Sequence, residues 1–170
     1  MARVRFVKLT EENHPFNDGE KVKVCGRNVV VGGDIPTAAG RLDENPTHVD
    51  GEKWCQDFFK GGEWKAYSRE KEFRKNAVDV GMWYLSEHDM FVNAQPYNSW
   101  TLNTETGEWE CPVTEPTWEQ REFTDDQNET LYYATFWDEP NQRWLASSIS
   151  QNIADANFYW DPNTTSWIAL

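Results

Sequence analysis

The chain is short of aliphatic residues, of cations in its second half and of every recurrent catalytic motif, and each shortage excludes something. Val, Ile, Leu and Phe together number 32 of 170 residues, about 19%, beside a formal charge of −13. Taken over the whole chain, that pairing is the composition of a disordered segment. No apolar run approaches the length of a membrane span, and the N-terminal stretch RVRFVKL is broken by Arg3, Arg5 and Lys8, so neither a span nor an export signal is expected. The three cysteines, Cys25, Cys55 and Cys111, lack CxxC spacing. That argues against a disulfide framework or a zinc site and suits folding in a reducing cytoplasm.

Catalytic signatures are missing too. There is no GxSxG, P-loop or GxGxxG string, and His14, His48 and His88 lie far apart in loop or turn contexts. The carboxylate pairs Asp125-Asp126 and Asp138-Glu139 have the residue types for glycoside cleavage, which needs two carboxyls at a fixed separation. The segment DDQNE (125–129) lacks the glycine and the closing bidentate glutamate of a calcium loop. No enzyme, cofactor or metal site is therefore expected.

What the chain does have is aromatic. Ten Trp and six Tyr raise the large apolar set to 48 residues, about 28%. Each buries about 150–250 Å² when packed, so an aromatic core is within reach. The charge is unevenly placed: residues 1–80 hold 14 Lys and Arg against 14 Asp and Glu, whereas residues 81–170 hold 2 against 15. Eight of the ten Trp lie in that second region. Composition thus divides the chain into 1–80 and 81–170, and the acidic half is a poor ligand for phosphate backbones, which excludes nucleic acid as an expected partner.

Four segments of the second half share a spacing: YLSEHDMF (84–91), LNTETGEW (102–109), WDEPNQRW (137–144) and WDPNTTSW (160–167). In each, a large apolar residue is followed seven positions later by an aromatic one, with turn formers between. A hairpin that sets residue i opposite i+7 projects both from one face as a cross-strand pair. Asn103, Asp138 and Asp161 suit side-chain-to-backbone turns, Pro140 and Pro162 fix φ, and Gly107 suits a left-handed bulge position. In the first half, VRFVKL (4–9), KVKVC (21–25) and NVVVGGDI (28–35) are β-branched runs bounded by turn clusters, hence strands. Residues 34–50 are loop-like in composition, and DGEKWCQDFFKGG (50–62) predicts a short amphipathic helix capped by Asp50 and stopped by Gly61-Gly62, with Cys55 on its apolar side. WKAYS (64–68) resumes extended structure and REKEFRKN (69–76) is a charged connection. The expected fold is mainly β (α+β): a small N-terminal α+β unit with one short helix, followed by a series of Trp-rich β-hairpins. The residues expected to bind or pack are Trp83, Tyr97, Trp100, Trp109, Trp137, Trp144, Trp160 and Trp167.

The runs WCQDFFKGGEWKAYS (54–68) and FRKNAVDVGMWYLSEHDMFVNAQPYNSWTLNTETGEWECPV (73–113) resemble an uncharacterised protein family abundant in tailed phages of marine cyanobacteria and other marine bacteria. Gly81, Phe91, Gln95, Pro96, Tyr97, Ser99, Trp100, Leu102, Trp109 and Pro112 fall on its pattern positions, and the closing WDPNTTSW matches its terminal hairpin. The stretch AYSREKE (66–72), Ala77-Val78 and the acidic insert near 115–131 depart from the pattern. The resemblance implies origin in a tailed-phage genome and a virion-associated accessory role, with no known chemistry attached. The expectation is thus a non-enzymatic virion protein, made in the host cytoplasm, whose partners are other virion proteins or further copies of itself. The alternative is a carbohydrate-binding module contacting host surface glycan through exposed Trp. No nucleic acid and no membrane insertion is expected.

Overall fold

A computed structural model describes residues 4–31, 36–37, 40–41, 49–125, 127–148 and 153–170, and the side chains of 28–31, 36–37, 40–41 and 49–50 are outside that description. Strand accounts for 42% and helical turns for 10%, so the chain is mainly β, with one α-helix and several antiparallel sheets. No helix among the described residues is long and apolar enough to cross a membrane. The chain forms two compact units, 1–96 with 102–109, and 97–101 with 110–170.

The first unit is built on a five-stranded antiparallel sheet. Its strands are β1 (Val4–Asn13), β2 (Lys21–Val31), β5 (Glu63–Ser68), β6 (Trp83–Leu85) and β7 (Met90–Val92), in the order β5-β1-β2-β6-β7. The compositional boundary at residue 80 falls inside this unit, because β6 pairs with β2 through Val24↔Trp83 and Lys23↔Tyr84. Two short strands, β3 (Pro36–Thr37) and β4 (Gly40–Arg41), form a separate ribbon inside the segment expected as a loop; most of the remainder of 34–50 lies outside the described residues.

Residues 21–31 form one strand, not the two runs expected on either side of Gly26-Arg27. The register against β1 passes from Val7↔Val29 to Leu9↔Cys25, so β2 carries extra residues there as a bulge. A Cβ at Gly26 would stand 3.2 Å from the Lys8 carbonyl, which is why glycine suits this close approach. The ladder bends and continues where sequence alone suggests a turn.

Both faces of the sheet are covered. Helix α1 (Val49–Phe58) lays Cys55 and Trp54 on Val4, Phe6, Trp64 and Ala66. Opposite, Val7, Leu9, Cys25, Tyr67, Tyr84 and Phe91 pack under Met82 and Val78. A third cluster, Val22, Val24, Trp83, Met90 and Val92, is covered by Leu102 of β8 (Thr101–Asn103) and Trp109 of β9 (Glu108–Glu110).

Strand β5 is an edge, and edges with free N–H and C=O groups invite pairing with other chains. Here the edge is closed by side chains. The Ala66 N–H donates to Glu52 Oε1 at 2.8 Å and the Ala66 carbonyl accepts from the Arg74 guanidinium at 2.8 Å. Arg74 also meets Glu52 at 2.5 Å and Asp89 at 2.7 Å, and the Tyr84 hydroxyl donates to the same Asp89 oxygen. Burial alone would raise Asp89, but the Tyr84 hydroxyl and Arg74 outweigh it and hold the carboxyl below its ordinary range. Arg74 takes a left-handed backbone (φ 57°) to reach these partners. The connection expected only to be charged is therefore the lock on the sheet edge. Replacing Arg74 by Ala leaves Glu52, in a half-buried site, with the Ala66 N–H and the more distant Lys65 at 3.8 Å, and is expected to cost about 3 kcal/mol, read as a lower urea midpoint. An unchanged midpoint would contradict the assignment.

Candidate functional site

The eight aromatics expected to bind or pack fall into two groups. Trp83 and Trp109 belong to the first unit, their rings T-shaped at 6.2 Å, with the Trp109 indole N–H donating to the Asn93 carbonyl at 2.8 Å. The other six form one cluster in the second unit, where buried Trp137, Trp144 and Trp160 are packed by Tyr97, Trp100, Cys111, Val113 and Trp167.

The second unit's main sheet is a meander of β12 (Ala134–Asp138), β13 (Arg143–Ser147), β14 (Phe158–Asp161) and β15 (Ser166–Ala169). Trp137 stands opposite Trp144 and Trp160 opposite Trp167, while Leu145 and Tyr159 align the two central strands. Side chains opposite one another share a face, so the four indoles form a row across the sheet. Ring centroids are 5.4 Å apart in the first pair and 5.2 Å in the second, both edge-to-face. The same offset of seven relates Tyr84 to Phe91 in the first unit. Turn chemistry sets these registers: the side-chain oxygens of Asn103 and Asp161 accept backbone N–H groups two residues on, and Gly107 has φ +76°.

A buried indole brings an N–H that needs an acceptor. Trp144 donates to the Val113 carbonyl at 2.9 Å and Trp167 to the Gln120 carbonyl at 2.7 Å. Trp137 donates to Glu139 at 2.6 Å. Glu139 also accepts the Ser99 backbone N–H and the Ser99 hydroxyl, each at 2.7 Å, so one carboxylate fastens the QPYNSW segment to the hairpin. Trp100, beside Ser99, then lies 6.4 Å from both Trp137 and Trp144. The Ser99 hydroxyl does most to hold Glu139 below the ordinary glutamate range; burial opposes it, and the Trp137 indole and the Ser99 amide add to the lowering.

The pair Asp138-Glu139 is engaged in structure. Asp138 accepts from Asn141 at 2.8 Å and Arg143 at 3.1 Å. In the other pair, Asp125 accepts the backbone N–H groups of Gln127 and Glu129, while Asp126 and likewise His48 lie outside the described residues. His14 accepts the backbone N–H groups of Phe16 and Asn17 at a turn. Burial pushes the Cys25 thiol up to about 12, and burial with nearby Glu52 pushes Cys55 up to about 11, so both stay protonated near neutrality. Among the described residues no three His, Cys, Asp or Glu are gathered as a metal would require.

None of the eight aromatics expected to bind or pack is exposed: Trp83, Trp137, Trp144 and Trp160 are buried, and Tyr97, Trp100, Trp109 and Trp167 are half-buried. Trp137 is 3% and Trp160 5% exposed. The exposed tryptophan is Trp118, at 66%, which spacing did not distinguish because it has no partner seven residues away. The Ser99–Glu139 fastening was also missed, since its halves are 40 residues apart in the chain. Comparison with protein-family models, with curated proteins and with solved structures gives no match for this chain.

Because Glu139 is lowered when folded, its contribution to stability is present above the ordinary glutamate pKa, near 4.5, and is lost as pH falls through the lower folded value. The expected result is a urea midpoint of the second unit that falls with acidification through that window, with a smaller fall in Glu139→Gln. Identical pH dependence in the two proteins would contradict the fastening role.

Proposed function

We propose that the chain is a non-enzymatic structural or accessory protein of a tailed-phage particle, associated with capsid, neck, tail or fibre, which acts by packing against other virion proteins. The observation that carries this reading is the use of the aromatics. Residues whose spacing also suits a ligand platform are turned onto one another, and the indole N–H groups of Trp137, Trp144 and Trp167 are bonded within the chain. The carboxylates of Asp125, Asp138 and Glu139 are likewise engaged within the chain, which supports reading the molecule as a scaffold. The resemblance to tailed-phage proteins supplies the setting. On this reading the N-terminal α+β region attaches the protein, and the acidic Trp-rich hairpins of the second unit pack on neighbours or stand outward, with several copies on the particle. The protein is made in the host cytoplasm and ends in the virion.

The glycan-binding reading has one observation in its favour, a cleft of about 540 Å³ bordered by Tyr97, Trp100, Thr135 and Ile153. Trp137 and Trp144, which also reach it, are too buried to offer the broad faces on which sugars stack, and that weighs against it. Mass spectrometry on density-purified particles of the phage that encodes the chain is expected to find its peptides in a fixed ratio to the major capsid protein. Particles free of it would overturn the proposal.

A further inference from the structure

The outer strands of the two main sheets are finished differently. In the first unit both are crossed by other groups: β5 at Ala66 by Glu52 and Arg74, and β7 at Phe91, whose N–H donates to the Arg74 carbonyl at 3.2 Å and whose carbonyl accepts the Asn76 side chain at 3.0 Å. In the second unit, β12 is entered from the ribbon of β10 (Glu122–Thr124) and β11 (Thr130–Tyr132), and the Tyr133 N–H donates across to the Arg121 carbonyl at 2.8 Å. At the other side of that sheet stands β15, which has no such neighbour among the described residues.

One bond tells which backbone groups of β15 face outward. The Leu170 N–H donates to the carbonyl of Asn157, just before β14, at 3.0 Å. Backbone groups alternate from side to side along a strand, so Ser166 and Ile168 also turn theirs to β14, and the N–H and carbonyl of Trp167 and Ala169 point away from it. The strand has no charged residue, no proline and an unbroken register, so it carries none of the devices that keep edges apart. Side chains add a second feature. Phe136, Leu145, Tyr159 and Ile168 stand opposite one another in turn across the four strands, an apolar row on the face behind the tryptophans. Ile168 ends the row at the open edge, 37% exposed, with Leu170 beside it on the same face at 60%.

Charge and geometry select what continues that row. Residues 97–101 and 110–170 hold eleven Asp and Glu against two Arg, yet residues 162–170 have no charged side chain. A strand carrying either charge would meet no counter-ion along this edge and would lose hydration without return. An uncharged extended strand with apolar side chains loses little, and β15 is itself such a strand.

We propose that β15 is a self-association edge, to which a second copy of this chain adds its own β15 antiparallel about a two-fold axis between the two Ile168 residues. Trp167 of each copy then exchanges both of its backbone bonds with Ala169 of the other, and each Ile168 meets its counterpart, so that the two apolar rows join. The register one step nearer the turn is barred, because it would pair Thr165, whose backbone is left-handed (φ 48°). The proposal goes beyond the reading of a packing component by naming a surface and its occupant. The two fail separately: absence from virions does not bear on association in solution, and a monomeric chain does not bear on presence in virions.

Sedimentation equilibrium of the full chain is the test. A reversible monomer–dimer equilibrium is expected, and it should strengthen as salt rises from about 0.05 to about 0.5 M, because carboxylate repulsion between copies is screened while an apolar, hydrogen-bonded contact is not weakened. Ala169→Pro removes an outward N–H that the sheet does not use, and Ile168→Lys sets two like charges opposite each other across the axis. Each is expected to weaken the dimer by about tenfold or more, with a urea midpoint unchanged at dilutions where all the chains are monomers. Cross-linking decides if a variant does not fold: under mild oxidation Ile168→Cys is expected to form the disulfide dimer about tenfold faster than Leu170→Cys, since only the two copies of residue 168 come within disulfide reach. A chain that stays monomeric at about 0.1 mM, a dimer that salt dissolves, a dimer that both variants leave intact, or equal cross-linking rates would overturn the proposal.

Discussion

An indole core carries an obligation that an aliphatic core does not. Each buried tryptophan brings a hydrogen-bond donor into the interior, and the fold must supply an acceptor or leave the donor unpaired at a cost of about 1–3 kcal/mol. In this chain the obligation shapes the second unit. Val113, Gln120 and Glu139 supply the acceptors for Trp144, Trp167 and Trp137, and the first two sit in the segment between β9 and β10. The indoles therefore hold the loop as much as the loop covers the indoles. A shortage of aliphatic residues, which over the whole chain reads as disorder, becomes a network in which packing and hydrogen bonding are made by the same side chains.

The first unit meets a different demand with a similar economy. Its sheet ends at β5, and the exposed groups of Ala66 are met by Glu52 from the helix and Arg74 from the following turn. The same Arg74 reaches Asp89, which receives Tyr84, so edge, helix and the β6–β7 hairpin are tied through one guanidinium. Nearby, Asn76 donates to the carbonyls of Phe91 and Gly107 and holds the Trp109 hairpin in place. The string FRKN (73–76) thereby acquires a structural meaning.

Much of the architecture was legible because periodicity and turn chemistry are local. The offset of seven coincides with the register at Tyr84–Phe91, Trp137–Trp144 and Trp160–Trp167, and the helix packs with Trp54 and Cys55 as its apolar face suggests, while Phe58, expected on that face, is 63% exposed. What was not legible is non-local or concealed by residue type. Gly26-Arg27 reads as a turn and is a bulge, because a glycine in a strand is ambiguous until its partner strand is known. Ser99 and Glu139 are unremarkable polar residues until folding brings them together. Composition changes at residue 80 while packing continues past it, since the second half's first hairpin completes the first half's sheet. Among ten tryptophans, neither charge nor hydropathy separates Trp118 from those that are buried.

The central claim is that the clustered tryptophans are core, fixed by their N–H groups, and that Trp118 is surface. Hydrogen exchange of the indole N–H groups, followed by two-dimensional NMR on the nitrogen-labelled chain, tests it directly. The account predicts strong protection for Trp109, Trp137, Trp144 and Trp167 and rapid exchange for Trp118. Exchange at Trp137 and Trp144 as fast as at Trp118 would contradict it.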